Sequence, residues 1–404
     1  MNRWTAGARV DTGPMPLAAR FALGMLRYLR VGSLDLTLPD GRRETFHGIE
    51  AGPHAELEVR DWRFFRRVLS AGDIGLAESY MEGLCDAPDL VTLIELLALN
   101  EAHLGKLASG TWWQRLALRL AHLLRANSHA GARRNIRAHY DLGNDFYALW
   151  LDPTMTYSSA IFANDPSRPL DAAQRAKYER ILDRLGVRQG DTLLEIGCGW
   201  GAFAESAARR GARVTAITIS AEQAAFARRR LEHADLAHAA TVEFRDYRDV
   251  SGTFDHIVSI EMIEAVGERN WPKFFATLKH HLKPGGKAIV QAITIADSLF
   301  SQYRRRADFI QTHIFPGGML PSHTAVAEQA RKVGLQLADS FGFGSDYART
   351  LRTWLARFDA TVENVRALGF DDRFVRMWRY YLCYCAVGFA TCRTDVVQAE
   401  FTHA

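Results

Sequence analysis

The sequence contains no uninterrupted apolar run of roughly eighteen residues, so no segment is expected to span a membrane as a helix. Behind the N-terminus, Arg3, Arg9, Arg20 and Arg27 punctuate the apolar residues, so no secretory leader is expected. There is no Cys-x-x-Cys. The five cysteines, Cys85, Cys198, Cys383, Cys385 and Cys392, show no histidine spacing suited to zinc. Free thiols in a reducing compartment, and no metal, are therefore expected. Lysine is scarce beside arginine, and the net charge of +4 is too mild to argue for nucleic acid. It does fit a phosphate-bearing or anionic-membrane partner. Internal repeats and low-complexity tracts are missing too.

What is present is a globular composition, with 48% hydrophobic and 24% charged residues. A length of 404 residues is too great for one ordinary core and suits a large domain with a smaller one. Residues 1–130 read as the smaller, α+β unit. "FALGMLRYL" (21–29) resembles a short amphipathic helix, and "SLDLTLPDGRRETFHG" alternates around Pro39-Asp40-Gly41 as a hairpin does. In 111–125, Trp112, Trp113, Leu116, Leu120, Leu123 and Leu124 recur at helical spacing, with Arg115, Arg119 and Arg125 largely off that stripe. Such a helix either docks on its own domain's core or lies on an anionic bilayer.

From residue 191 strands and helices alternate. Candidate strands are 192–196, 213–219, 240–246, 254–260, 286–294, 335–343 and 394–401, with one long helical segment at 347–390. This order predicts a mostly parallel sheet covered on both faces. The first strand runs into "TLLEIGCGWGAFAE", where Gly197, Gly199 and Gly201 open a helix. A strand, a glycine turn and a helix form a cofactor cradle, because glycine admits positive φ and leaves helix N–H groups exposed. The spacing is GxGxG, and Thr218 stands where a nucleotide fingerprint would want an acid. Farther on, Asp246 and Tyr247 could hydrogen-bond and stack an adenine ring. Cys198 reads as a small residue beside a strand end. The Arg-Arg-Arg runs at 228–230 and 304–306 read as solvated faces.

Seven stretches in order carry a resemblance: "HYDLGNDFYALWLDPTMTYSSAIF" (139–162), "LLEIGCGWG" (193–201), "VTAITISAEQ" (214–223), "DYRDV" (246–250), "SIEMIEAVGERNW" (259–271), "FIQTHIFPGGMLPS" (309–322) and "FGSDYARTLRTW" (343–354). In these the chain resembles the cyclopropane-fatty-acid synthase family of S-adenosylmethionine-dependent transferases over about residues 131–404. The resemblance implies a Rossmann-like class I methyltransferase domain at 131–404, with a seven-stranded, mostly parallel sheet. It also implies an N-terminal lipid-binding or membrane-binding domain at 1–130. It assigns Gly197, Gly199, Thr218, Gln223, Asp246 and Tyr247 to the adenosyl part of S-adenosylmethionine, and Tyr157 and Ser158 to its methionine end. Glu195, Cys198, Gly201 and Ser220 complete the expected cofactor set.

The sulfonium of that cofactor carries an electrophilic methyl group, and the implied acceptor is the double bond of an unsaturated phospholipid acyl chain. An alkene is a weak nucleophile, so the site must be dry and aligned. Methyl transfer leaves a carbocation, which needs a nearby negative charge and then a base. Loss of a proton from the new methyl closes a cyclopropane. Loss from a neighbouring carbon gives a methyl branch with a shifted double bond, and a hydride shift before the methyl loses its proton gives a methylene. The resemblance implies a bicarbonate for this proton, held by Glu264, Tyr347, the Ile293 backbone, and the positions of Ser159 and Gln291. The usual residues at the last two are Cys and His, so this sequence departs there. Either bicarbonate persists with altered tuning, or Glu264 takes the proton itself. Glu261 is a neighbouring competitor.

The leading expectation is a cyclopropane-forming transferase. The alternative is an acyl C-methyltransferase without ring closure, and a different class is an inactive lipid-binding protein. The implied partner is a phospholipid bilayer with unsaturated chains, from a cytoplasmic, peripheral position on the inner membrane face. A homodimer and a partner enzyme acting on the product are further expectations. The 111–125 stripe generates a test. If it lies on membranes, the protein binds anionic vesicles better than neutral ones and releases them at high salt. Trp112→Ser with Trp113→Ser then weakens vesicle binding several-fold in co-sedimentation. Unchanged binding would make the stripe a domain contact.

Overall fold

The computed structural model describes residues 14–107 and 142–404. The amphipathic stripe at 111–125 and the expected boundary at 130/131 lie outside the described residues. The chain divides into two compact units, Met1–Ala121 with Val365–Thr391, and His122–Asn364 with Cys392–Ala404. Residues 365–391 thus group with the N-terminal unit, whereas the sequence reading assigned all of 131–404 to the other. No disulfide forms among the described residues. No described helix is long and apolar enough to cross a membrane.

In the first unit, the helix Leu17–Leu26 precedes β1 (Val31–Thr37) and β2 (Arg43–His47). These strands make the antiparallel hairpin that Pro39-Asp40-Gly41 announces. Gly41 takes φ +83°, which glycine alone adopts at little cost. β3 (Glu50–Val59) pairs with β1 in parallel, and β4 (Cys85–Asp86) closes the order β2-β1-β3-β4. The helix Leu90–Leu107 is pinned to β1 by one buried amide. Asn100 Oδ1 accepts the N–H groups of Arg30 and Val31, at 2.8 and 3.0 Å, and its Nδ2 donates to Val31 O and Leu96 O. The helix Asp372–Ala390 packs on Asp73–Met81 and Leu90–Leu107, where the Arg376 guanidinium donates to the carbonyls of Tyr80 and Cys85.

The second unit is built on the expected seven-stranded sheet. Its strands are β5 (Thr192–Ile196), β6 (Arg213–Thr218), β7 (Ala240–Phe244), β8 (Phe254–Ile260), β9 (Leu282–Ile295), β10 (Leu335–Gly342) and β11 (Thr394–His403). The order is β10-β11-β9-β8-β5-β6-β7, parallel from β9 to β7, with β11 antiparallel to both its neighbours. β9 starts at Leu282, earlier than its sequence suggests. Pro284-Gly285-Gly286 reads as a breaker, but the pairing with β8 absorbs it as a register shift between Phe254 and His256. The expected helical segment 347–390 is three helices, Gly344–Ala360, Val362–Ala367 and Asp372–Ala390. Gly369 at φ +96° and the Asp371 cap, which accepts Phe374 N–H at 2.7 Å, separate the last two.

Both faces of this sheet are buried. One carries Leu194, Ile257, Phe274, Val290 and Phe401, and the other Leu193, Val214, Val258, Ile289 and Phe203. Strand order reverses between β5 and β8. In open sheets of this kind, the crevice beyond the strand C-termini at such a point is where ligands bind.

Candidate active site

The glycine turn after β5 lies at that reversal. Gly197, Gly199 and Gly201 all have positive φ, but for different reasons. A Cβ on Gly197 would come within 2.9 Å of Met262 Cγ, and one on Gly201 within 2.8 Å of the Ala227 Cβ. Both glycines therefore serve close packing. A Cβ on Gly199 would meet nothing within 4 Å, so its face is open as a cradle requires. The N–H groups of Gly197 and Cys198 both donate to Ile217 O. The Cys198 side chain belongs to the core cluster with Phe203 and Ala204, and burial raises its thiol well above the ordinary value.

Glu195, 2% exposed, points under the turn. It accepts a backbone N–H from Ala204 in the first turn of the helix Ala202–Arg209, and its Oε2 has no hydrogen-bond partner. Burial pushes its carboxyl up to about 8. Arg230 departs from the expectation of a solvated face. Its guanidinium donates to Trp200 O at 2.9 Å and Pro153 O at 3.3 Å, tying the turn to the 153–162 loop. The 304–306 run does face solvent, with Arg304 pairing with Glu268.

Beyond β6, Thr218 Oγ1 donates to Gln223 Oε1 at 3.0 Å, and Ser220 caps the next helix by accepting Gln223 N–H. Beyond β7, the Asp246 carboxylate receives Arg248 through Nε at 2.8 Å and a terminal nitrogen at 2.7 Å. The Tyr247 ring packs edge-on against Phe274, and its buried hydroxyl has no hydrogen-bond partner. Tyr157 sits half-buried among Tyr147, Trp150 and Trp354, with ring centroids 5.4–5.5 Å away. Its loop is anchored by three side chains. Thr350 accepts from Ala160 N–H, Asp346 accepts from Phe162 N–H, and Gln174 donates to Ser158 O.

The five residues expected around an anion do converge, but on carboxylates of the chain itself. Glu261 Oε1 accepts the Ser159 N–H at 2.9 Å and Gln291 Nε2 at 2.7 Å. Its Oε2 accepts the Tyr347 hydroxyl at 2.6 Å. The Ser159 hydroxyl turns away to Ala160 O. Glu264 Oε1 accepts the Ile293 N–H at 2.5 Å, while its Oε2 is buried without a hydrogen-bond partner. The donors that the resemblance assigns to bicarbonate are thus already taken, and a free bicarbonate does not fit this arrangement.

Burial raises the Glu264 carboxyl to about 8, with the neighbouring Glu261 charge adding to the rise. Glu261 is also raised by burial, against the opposing pull of Lys177 and its three donors. Lys177 is fully buried, donates to Ser158 Oγ, and is lowered to about 7 by burial. Glu261, Asp152 and Glu195 all act on it, so it links the glycine cradle electrostatically to the carboxylate pair. The sequence reading missed Lys177. Its signal was a lysine on the same helix face as Ala173, Gln174, Tyr178 and Ile181, all buried.

Comparison with known proteins agrees with this architecture. The profile described as mycolic acid cyclopropane synthetase matches residues 127–399. The chain is 39% identical to the tuberculostearic acid methyltransferase UfaA1 of Mycobacterium tuberculosis, over 98% of this chain and 94% of that one. It is 36% identical to the cyclopropane-fatty-acyl-phospholipid synthase of Escherichia coli, over 88% and 89% of the two chains. Among solved structures, mycolic acid cyclopropane synthase CmaA1 complexed with SAH and CTAB superposes with a TM-score of 0.63 at 32% identity. It covers 67% of this chain and 97% of that one.

The raised Glu264 carboxyl has a consequence for stability. A group whose folded pKa exceeds its unfolded value stabilises fully below the unfolded value, and that contribution is lost as pH rises through the folded one. Stability should therefore fall between pH 4.5 and about 8. Glu264→Gln removes its share of this fall, so the mutant's Tm declines less than the wild type's from pH 6 to 9. Parallel Tm curves would mean that Glu264 is ionised throughout.

Proposed function

The chain belongs to the mycolic acid cyclopropane synthetase family, and we propose that it transfers a methyl group from S-adenosylmethionine to the double bond of an unsaturated phospholipid acyl chain. The observation that carries this reading is one juxtaposition. The glycine turn, open-faced at Gly199, packs through Gly197 on Met262, and Met262 stands in the chain between Glu261 and Glu264, whose carboxyls burial raises. When bound, S-adenosylmethionine supplies an electrophilic methyl.

The residues of the chain supply the rest. Gly199 offers an open backbone face, and Thr218, hydrogen-bonded to Gln223, stands at the end of the neighbouring strand β6. The half-buried Tyr157 ring, backed by the fully buried rings of Tyr147, Trp150 and Trp354, can attract a cation through its π face, and the cluster excludes water behind it. Buried carboxylate charge stabilises the cation that the alkene becomes on methylation. Glu261 and Glu264 stand on the chain directly after β8, at the strand ends where the sheet opens. A base on either then decides the product by which C–H it can reach.

Ring closure is the leading product. Methylation without a ring is the second reading, favoured by Ser159 and Gln291 in place of Cys and His. The 39% identity to a tuberculostearic acid methyltransferase over nearly the whole chain supports that second reading too. Access to a bilayer acyl chain calls for peripheral attachment to the membrane, which we assign to the N-terminal unit.

Two experiments follow. Gly199→Ala places a methyl group in the open face of the cradle. It should weaken S-adenosylmethionine binding at least ten-fold by calorimetry while the circular dichroism spectrum is kept. Wild-type affinity in a folded mutant would refute the cradle. With trideuteromethyl-labelled cofactor and monounsaturated phospholipid, mass spectrometry of the acyl chains reads the product. A cyclopropane retains two deuterons and shows ring-proton NMR signals. A methyl branch with a shifted double bond retains three. Unmodified chains in the presence of bound cofactor would overturn the proposed acceptor.

A further inference from the structure

Resting on the reaction proposed above, we propose that Glu261 is the built-in anion of this active site: its carboxylate fills the place for a soluble bicarbonate and takes the proton that leaves the alkylated acyl chain. The polarity of one hydrogen-bonded chain carries the argument. Arg180 can only donate, and its Nη1 lies 2.6 Å from Gln398 Oε1. The Gln398 amide must therefore turn its Nε2 to Gln291 Oε1, at 3.0 Å. That leaves Gln291 with only its NH₂ for the Glu261 carboxylate. A glutamine fixed in this way donates at every pH, as an imidazole does not. Ser159 contributes through its main chain, so its side chain need not be a thiol. The two departures at Ser159 and Gln291 thus belong to one arrangement with Glu261.

The backbone supports the same view. Glu261 takes φ +48°, a strained value for a residue with a side chain, and its N–H is held by Gln291 O at 2.8 Å. The strain aims a carboxylate into the donor set. A carboxylate has about four lone-pair sites, and here three are filled, which leaves one to receive a proton. The step balances without another reactant. A C–H bond of the carbocation breaks, an O–H bond forms on Glu261, and the C–H electron pair closes the ring or becomes a new double bond. The carboxylic acid returns its proton to water after product leaves.

The test combines anion binding with turnover. NMR of [13C]bicarbonate should show no exchange broadening with wild-type protein and clear broadening with Glu261→Gly, a residue suited to φ +48°. In carbon-dioxide-free buffer, wild-type turnover should stay within about two-fold of its value with bicarbonate. Glu261→Gly should lose roughly 10²–10⁴ in rate at unchanged cofactor affinity and recover at least ten-fold with bicarbonate or formate. Glu261→Gln, which still fills the site, should lose as much and not be rescued. Bicarbonate binding by the wild type, or wild-type rates in Glu261→Gly without added anion, would overturn the proposal. A wild type that binds S-adenosylmethionine but alters no phospholipid would sink the proposed reaction instead. Bicarbonate taken up by Glu261→Gly alone would then still place the built-in anion, and uptake by both proteins or neither would remove it.

Discussion

Three donors turned on one carboxylate set the character of this site. Hydrogen bonds from a main-chain N–H, a fixed amide and a phenol favour the charged form of Glu261, while burial favours the neutral one. The Gln291 amide turns its NH₂ to it because Arg180, two amides away, cannot accept a hydrogen bond. Orientation is therefore transmitted from β11 to β9 to the residue after β8 without any large side chain having to move. The loop carrying Ser159 is held by Thr350, Asp346 and Gln174, so the third element of the set is rigid as well.

A second constraint is the proximity of like charges. Glu264 lies beside Glu261 and has one partner against Glu261's three. Two carboxylates in a dry site do not both ionise readily, and the better-solvated one keeps the charge. Near neutrality Glu264, raised to about 8 by burial and by the Glu261 charge, is the member that holds a proton. Lys177 sets the balance from the other side, because its own charge is weakened by complete burial. The site can hold a single negative charge opposite a cationic group without being strongly anionic when empty of substrate.

Much of this was legible in the sequence. Alternating apolar runs placed all seven strands of the large sheet, and the glycine turn placed the crevice, because each signal is local. The errors share a cause. β9 was expected from residue 286 and begins at Leu282, because its pairing with β8, remote in sequence, carries the strand through Pro284-Gly285-Gly286. Arg230 looked solvated because a triple arginine usually is, yet two carbonyls distant in sequence hold it. Glu261 was named as a neighbour of Glu264, but its three partners lie 30 to 102 residues away, and no periodicity records such convergence. Lys177 was not singled out, although it lies on the buried face of its helix.

The place of β11 bears on how the molecule is made. This strand lies between β9 and β10, yet it follows, in chain order, a segment that groups with the N-terminal unit. During synthesis the sheet therefore waits with a gap beside β9 until Thr394–His403 emerges from the ribosome. Until then Gln291 lacks Gln398, and its amide is oriented from the Glu261 side alone. The support that runs from Arg180 through Gln398 to Gln291 thus becomes available only once β11 has paired with β9. A nascent chain can present a finished glycine turn well before it holds a finished carboxylate site.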